Sequence, residues 1–235
     1  MILIAMAVVC TYPLMAKKKF EKGNDDVHYE YSVTFDQIKD AYKNQGQEKD
    51  KINLDKVAAN NSQPPVEEKP DIDSIKSFAE SGNKSYQFLL GKYYAEGKYL
   101  EQDYEKALHW YGLAAEQGEF RAQNNLGCLY MDGAGVEKDL EKALYWLEKS
   151  AGQDTAYAML NLGELYQKEK GDYSAAMEWY KKAEKKEPKL AWYSMALLYR
   201  DGLGVKKDIK KARSYLKKSS KLGYKEADKV LAELE

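Results

Sequence analysis

From residue 71 onward the chain repeats itself, and the period admits few folds. Leu90-Gly91, Leu126-Gly127 and Leu162-Gly163 recur at intervals of 36 residues, and Met195-Ala196 follows 33 later. Tyr94, Tyr130, Tyr166 and Tyr199 keep those steps. Ala107, Ala143, Ala176 and Ala212, with Trp110, Trp146, Trp179 and Tyr215, step by 36, 33 and 36. All four series share one three-residue deficit, where Gln167–Asp172 replaces a longer Asp-Gly-x-Gly-Val loop. A unit this short cannot bury an apolar face alone, so the copies must stack on one another.

Each unit reads as two helices. In the second, Ala122, Leu126, Leu129 and Tyr130 fall on one face of a 3.6-residue period. Gly127 lets a neighbouring helix approach closely, which outweighs its helix-propensity cost of about 1 kcal/mol. Gly133 and Gly135 suit the positive φ of a tight connection. Asp139 is placed to cap the next helix, in which small Ala143 and large Trp146 fit the second helix against the first. Gly118 and Gly223 end second helices, with Asp154 and Glu187 at that register in the other units. Asp71–Ser81 matches only a second helix and Lys225–Leu234 only a first, as capping half-units would.

These motifs resemble the Sel-one-like repeat (SLR) family, a branch of the tetratricopeptide-like helical repeats. The resemblance is carried by Leu126-Gly127-x-x-Tyr130, Asp132-Gly133-Ala134-Gly135-Val136 and Asp139-x-x-Lys142-Ala143-x-x-Trp146. Leu198–Val205 with Asp208-x-x-Lys211-Ala212 repeats the pattern. Met195-Ala196, Tyr215 and the shortened third loop depart from it. The resemblance implies an all-α, right-handed α/α superhelical solenoid of about four repeats over residues 71–235.

Residues 1–70 lie outside the repeat. Residues 2–10 are an unbroken apolar run, too short to cross about 30 Å of hydrocarbon as a helix. With Ala16 as the small residue before a cleavage point, 1–16 read as a signal peptide, although no Lys or Arg precedes the run and Lys17-Lys18-Lys19 follows it. The expected location is then periplasmic or secreted, or cytoplasmic if the run is not a signal. Ala7-Val8-Val9 lacks the pattern that precedes a lipidated cysteine, which argues against lipid on Cys10. Residues 17–70 read as an accessory segment and linker. Within it, residues 27–35 alternate as a strand without a clear partner, residues 36–43 suggest a short helix, and Asn60–Pro65 is turn-rich.

Reactive chemistry is hard to assemble. With 37 Lys plus Arg against 38 Asp plus Glu, and two His and two Cys, neither a global polyanion site nor a zinc site is favoured. Gly133-Ala134-Gly135 and Gly202-Leu203-Gly204 resemble parts of a dinucleotide loop but lack the preceding strand. His109 has no ligand-spaced partner, His28 sits on the polar side of the strand pattern, and a helical Cys128 reads as inert. Asp132, Asp139, Asp201 and Asp208 recur with the repeat and mark scaffold. No catalytic residue, metal site or cofactor is expected.

Function therefore falls to a surface. In tetratricopeptide-like proteins the face opposite Ala122, Leu126 and Tyr130 lines the concave groove, so the resemblance makes it the expected partner site. It collects Arg121, Asn124, Cys128 and Met131 in the second unit, and Phe88 and Lys92 in the first. The third adds Tyr157, Leu160 and Glu164, the fourth Tyr193, Leu197 and Arg200. The alternative is that neighbouring helices and residues 17–70 cover this face. Charge is also polarised: residues 67–119 carry 11 acids against 6 lysines, residues 180–235 carry 16 Lys plus Arg against 8 acids.

The resulting reading is a non-catalytic protein–protein interaction module, an adaptor, scaffold or regulator of the bacterial envelope or secreted space. Its partner would be a protein or peptide held in the groove. Nucleic acid is not expected, and nothing supports peripheral membrane contact. The alternatives are an immunity protein that sequesters a secreted toxin, such as a phospholipase effector, and a cell-wall enzyme that the repeats support.

Overall fold

The computed structural model describes residues 16–18, 29–31 and 70–234. Two compact units divide the chain, one of residues 13–70 and one containing residues 71–235. In the first, β1 (Ala16–Lys18) and β2 (Tyr29–Tyr31) pair antiparallel, with Ala16 opposite Tyr31 and Lys18 opposite Tyr29. The partner missing from the strand reading is thus the stretch around the expected cleavage point. The short helix at 36–43, the linker and the apolar run at 2–10 lie outside the described residues.

Among the described residues ten helices follow: α1 (Ile72–Glu80), α2 (Lys84–Glu96), α3 (Tyr104–Glu116), α4 (Phe120–Asp132) and α5 (Leu140–Gly152). The rest are α6 (Ala156–Lys168), α7 (Tyr173–Glu184), α8 (Pro188–Asp201), α9 (Ile209–Lys221) and α10 (Lys225–Glu233). Each helix packs on the next, in the α/α solenoid that the repeat implies. The pairs α2–α3, α4–α5, α6–α7 and α8–α9 are the four repeats. α1 is a lone second helix and α10 a lone first helix, each contributing a fully buried alanine, Ala79 and Ala227.

The repeated residues make repeated contacts. A Cβ on Gly91, Gly127 or Gly163 would lie 2.7, 2.7 and 2.3 Å from Tyr111, Leu147 and Tyr180 of the paired helix. In the fourth repeat Ala196 shares a buried cluster with Leu216. Asp103, Asp139, Asp172 and Asp208 each accept a backbone N–H of the following helix at 2.9 Å, from Lys106, Lys142, Ala175 and Lys211. Each aspartate also donates its own N–H, at 2.8–2.9 Å, to the carbonyl of the motif tyrosine, Tyr94, Tyr130, Tyr166 or Tyr199. One residue type therefore caps the second helix and ties the loop back to the first, and the shortened third loop keeps both bonds.

Loop glycines also join one repeat to the next. Gly135 and Gly204 have φ of +70° and +66°, and a Cβ there would lie 2.4 and 2.6 Å from Tyr104 and Tyr173 at the start of the preceding second helix. Asp154 adopts φ +63°, the left-handed conformation that Gly118 and Gly223 hold at the same register. Buried polar side chains stitch the opposite edge. Gln87 and Gln123 donate to the carbonyls of Ala79 and Ala115 and accept from Gln117 and Gln153. Ser150 and Ser219 donate to the carbonyls of Phe120 and Lys189. Among the described residues no helix is long and apolar enough to cross a membrane.

Candidate functional site

The first helices α2, α4, α6 and α8 carry the wall expected to meet a partner. Neighbouring first helices touch: Asn161 Nδ2 on α6 donates to Asn124 Oδ1 on α4 at 2.8 Å and lies 3.3 Å from Cys128 Sγ. Burial changes the assignment made from a single helical wheel. Leu160 is fully buried, and Met131 and Glu164 are each only 5% exposed. Cys128 and Met131 share one core cluster with Leu160. A wheel separates the face toward the paired helix from everything else, but it does not say which of the remaining positions stay open: Asn124, at the register of Leu160, is only half-buried. Leu160, Met131 and Glu164 are therefore core, not open wall. Glu164 pairs with Lys168 one turn on.

The remaining expected residues stay at least partly open. Tyr157 is 42% exposed, Arg121 is exposed, and Phe88, Lys92, Asn124, Tyr193, Leu197 and Arg200 are half-buried. The structure brings Phe88 and Arg121 together across the first and second repeats. The guanidinium lies 4.3 Å from the Phe88 ring centroid. Both Glu119 oxygens hold it, Oε1 to Nε at 2.8 Å and Oε2 to Nη2 at 3.1 Å. Glu119 is itself buried and also caps α4 by accepting from the Arg121 N–H. A bidentate carboxylate on one side and a ring face on the other fix a side chain that is otherwise costly to order. At the other end Tyr193 meets Tyr224 edge-on, with centroids 4.9 Å apart.

Charges on this wall are matched locally. Lys92 pairs with Glu96 at 3.7 Å, and Arg200 with Asp201 at 2.7 Å. Burial raises the Glu96 carboxyl above its ordinary range, with Lys92 opposing that shift. The Arg200 hydrogen bond holds Asp201 below its ordinary range. Burial raises the Tyr157 and Tyr193 hydroxyls, so both remain hydrogen-bond donors near neutral pH.

Glu119 was missed from sequence, and so were Gln87 and Gln123. Glu119 follows the helix-ending Gly118, the register at which a cap for the next first helix belongs, and that was the available signal. Among the described residues no group of three or more His, Cys, Asp or Glu could hold a metal ion. His109 is exposed and packs edge-on against Trp110.

Four segments, residues 85–119, 120–154, 156–187 and 190–224, match the model of the Sel1 repeat. Among solved structures, the chain is similar to a protective antigen of uropathogenic Escherichia coli strains that displays an SLR fold. The identity is 30% and the TM-score 0.61, over 69% of this chain and 36% of that one. It is also similar to a Sel1 repeat protein from Oxalobacter formigenes, at 28% identity and TM-score 0.59, over 69% of this chain and 74% of that one. The chain thus spans little more than a third of the Escherichia coli protein. No curated protein matches it in sequence.

Proposed function

The chain belongs to the Sel1 repeat family, whose members are generally protein-interaction modules, and we propose that it binds a protein or peptide along the wall of its first helices. The reading rests on one observation. Arg121 is held over Phe88 by buried Glu119, so an aromatic–guanidinium anchor is ordered before any partner arrives. Tyr and Arg are typical binding anchors, and pre-ordering reduces the entropy lost on association. Tyr157 and Tyr193 continue the surface toward the later repeats, and the wall's internal ion pairs favour a partner recognised by shape and hydrogen bonds over one recognised by net charge. An envelope or secreted setting belongs to the same proposal. It rests on the apolar run at residues 2–10, and a topology reporter fused after residue 70 would test it.

The binding test is affinity capture from native extract with mass spectrometry, comparing wild type with the Phe88→Ala/Tyr193→Ala double variant. The variant should keep its helical circular dichroism and lose the proteins that wild type retains. Equal capture by both would reject the wall as the partner site.

A further inference from the structure

The loop between the two helices of a repeat recurs at one register in the first, second and fourth repeats, but its charges differ. In the second repeat Lys142 pairs with Asp139 at 3.1 Å and Lys138 with Glu169 at 2.6 Å, while Glu137 adds a further acid. In the first, Glu101 and Gln102 hold the positions of Glu137 and Lys138, and Lys106 pairs with Asp103 at 2.7 Å. In both loops a glutamate stands at this register, and Lys106, Lys138 and Lys142 each have an acid partner.

The fourth loop differs. Lys206 stands where the other two carry glutamate, and Lys207 follows it. Both are exposed, and among the described residues neither makes an ion pair. Lys211 does not pair with Asp208; its Nζ donates to Tyr199 Oη at 2.7 Å and lies 4.2 Å from the Tyr199 ring centroid. The nearby acids are engaged, Asp208 as the cap of α9 and Asp201 by Arg200. Tyr199, Val205, Lys206, Lys207, Asp208 and Lys211 line an open recess of about 480 Å³. Beyond it α9 contains six Lys or Arg and no acid, and Lys210, Lys217 and Lys221 are exposed and make no ion pair among the described residues.

We propose that this recess and the lysine row of α9 bind an acidic polypeptide segment, with Lys206 and Lys207 taking carboxylates at the recess and α9 extending the contact. The same scaffold site carries a glutamate in the first and second repeats and here has a lysine in its place. Uncompensated like charge costs self-repulsion that a complementary partner relieves, and such a field also speeds encounter. Single lysine charges spaced along a helix suit separate carboxylates. The one arginine of α9, Arg213, is turned to the carbonyl of Leu234, so no guanidinium fork faces outward for phosphate. Nucleic acid is disfavoured because no ring is free for base stacking: Lys211 covers Tyr199, and Tyr215 stacks on it at 5.9 Å. A membrane surface is disfavoured because the aromatic rings of this patch are half-buried and supply no apolar anchor.

The test uses the full chain and a fluorescein-labelled deca-glutamate peptide, read by fluorescence anisotropy at low salt. Duplex DNA and phosphatidylglycerol vesicles serve as parallel probes. Wild type should bind the peptide, with affinity falling as salt rises. Lys206→Glu/Lys207→Gln, which restores the charge pattern of the first repeat's loop, should weaken binding about tenfold or more. Lys210→Gln/Lys217→Gln should weaken it by a smaller factor. The control Lys138→Gln in the second repeat, and the wall variant Phe88→Ala/Tyr193→Ala, should leave it unchanged, which separates this site from the wall. Melting curves confirm that each variant is folded. Absent peptide binding, equal binding by the Lys206→Glu/Lys207→Gln variant, or tighter lysine-dependent binding of DNA or vesicles would overturn the proposal.

Discussion

A methyl group built on Gly163 would sit 2.3 Å from Cε1 of Tyr180. The ring cannot easily yield, because it is only 2% exposed and its hydroxyl donates to Gln167 Oε1 at 2.9 Å. Two effects then oppose each other in Gly163→Ala. Helix propensity favours alanine by about 1 kcal/mol, while overpacking a tight core costs about 1–3 kcal/mol. Steric cost wins where the opposing atom belongs to a fixed aromatic ring, so the variant should be less stable than wild type in urea unfolding. The fourth repeat shows why the outcome depends on the partner: there Ala196 is tolerated, and it shares its cluster with the branched side chain of Leu216 rather than with a ring.

For the second helices, stability is tied to four aspartates in one register. Asp103 and Asp139 both titrate below the ordinary value of 3.8. For Asp103 the side-chain bond from Lys106 is the larger cause and the Lys106 N–H the second; for Asp139 the Lys142 N–H comes first and its ammonium second. A carboxyl lowered in the folded state contributes stability that is present above its unfolded value and disappears as pH falls through the folded one. The melting midpoint should therefore hold through neutral and mildly acid pH and decline below about pH 4. Asp103→Asn/Asp139→Asn should flatten that decline, since the amide still caps but no longer titrates. A midpoint whose acid dependence is the same in wild type and the double variant would show that these caps do not govern acid unfolding.

In the 71–235 unit as a whole, every repeat leans on the next, and the ends need a helix that is apolar on one side only. α10 supplies this at the C-terminal end. Ala227 and Val230 close a cluster with Ala196 and Leu216, while Lys225, Glu226, Asp228, Lys229 and Glu233 face solvent. A chain ending at residue 223 should lose more than α10 itself, because Ala196 and Leu216 become exposed and the fourth repeat has no outer neighbour. We expect a lower melting midpoint and concentration-dependent association by light scattering. Full stability and a monomeric profile in the shortened chain would mean that the four repeats are self-sufficient.

Much of this was legible without coordinates. Spacing alone located the paired helices, since a glycine that must admit a neighbouring helix and an aspartate that must cap one recur wherever the same local contact recurs. The alternation at 27–35 located β2 but not β1, whose Ala16-Lys17-Lys18 carries no apolar–polar alternation. The wall was legible only in part. Phe88, Arg121 and Tyr157 stay at least partly open at the register predicted for them, whereas Leu160, Met131 and Glu164 are buried, because a helical wheel gives the face toward the paired helix but not how far the rest is covered. Likewise, the lysines of α9 could be counted in the sequence. That Lys206 and Lys207 make no ion pair among the described residues, while Lys138 reaches Glu169 in the next repeat, was decided by the folded structure. Local periodicity fixes which residues face the paired helix; side-chain pairing across repeats depends on distances that only the stacked structure sets.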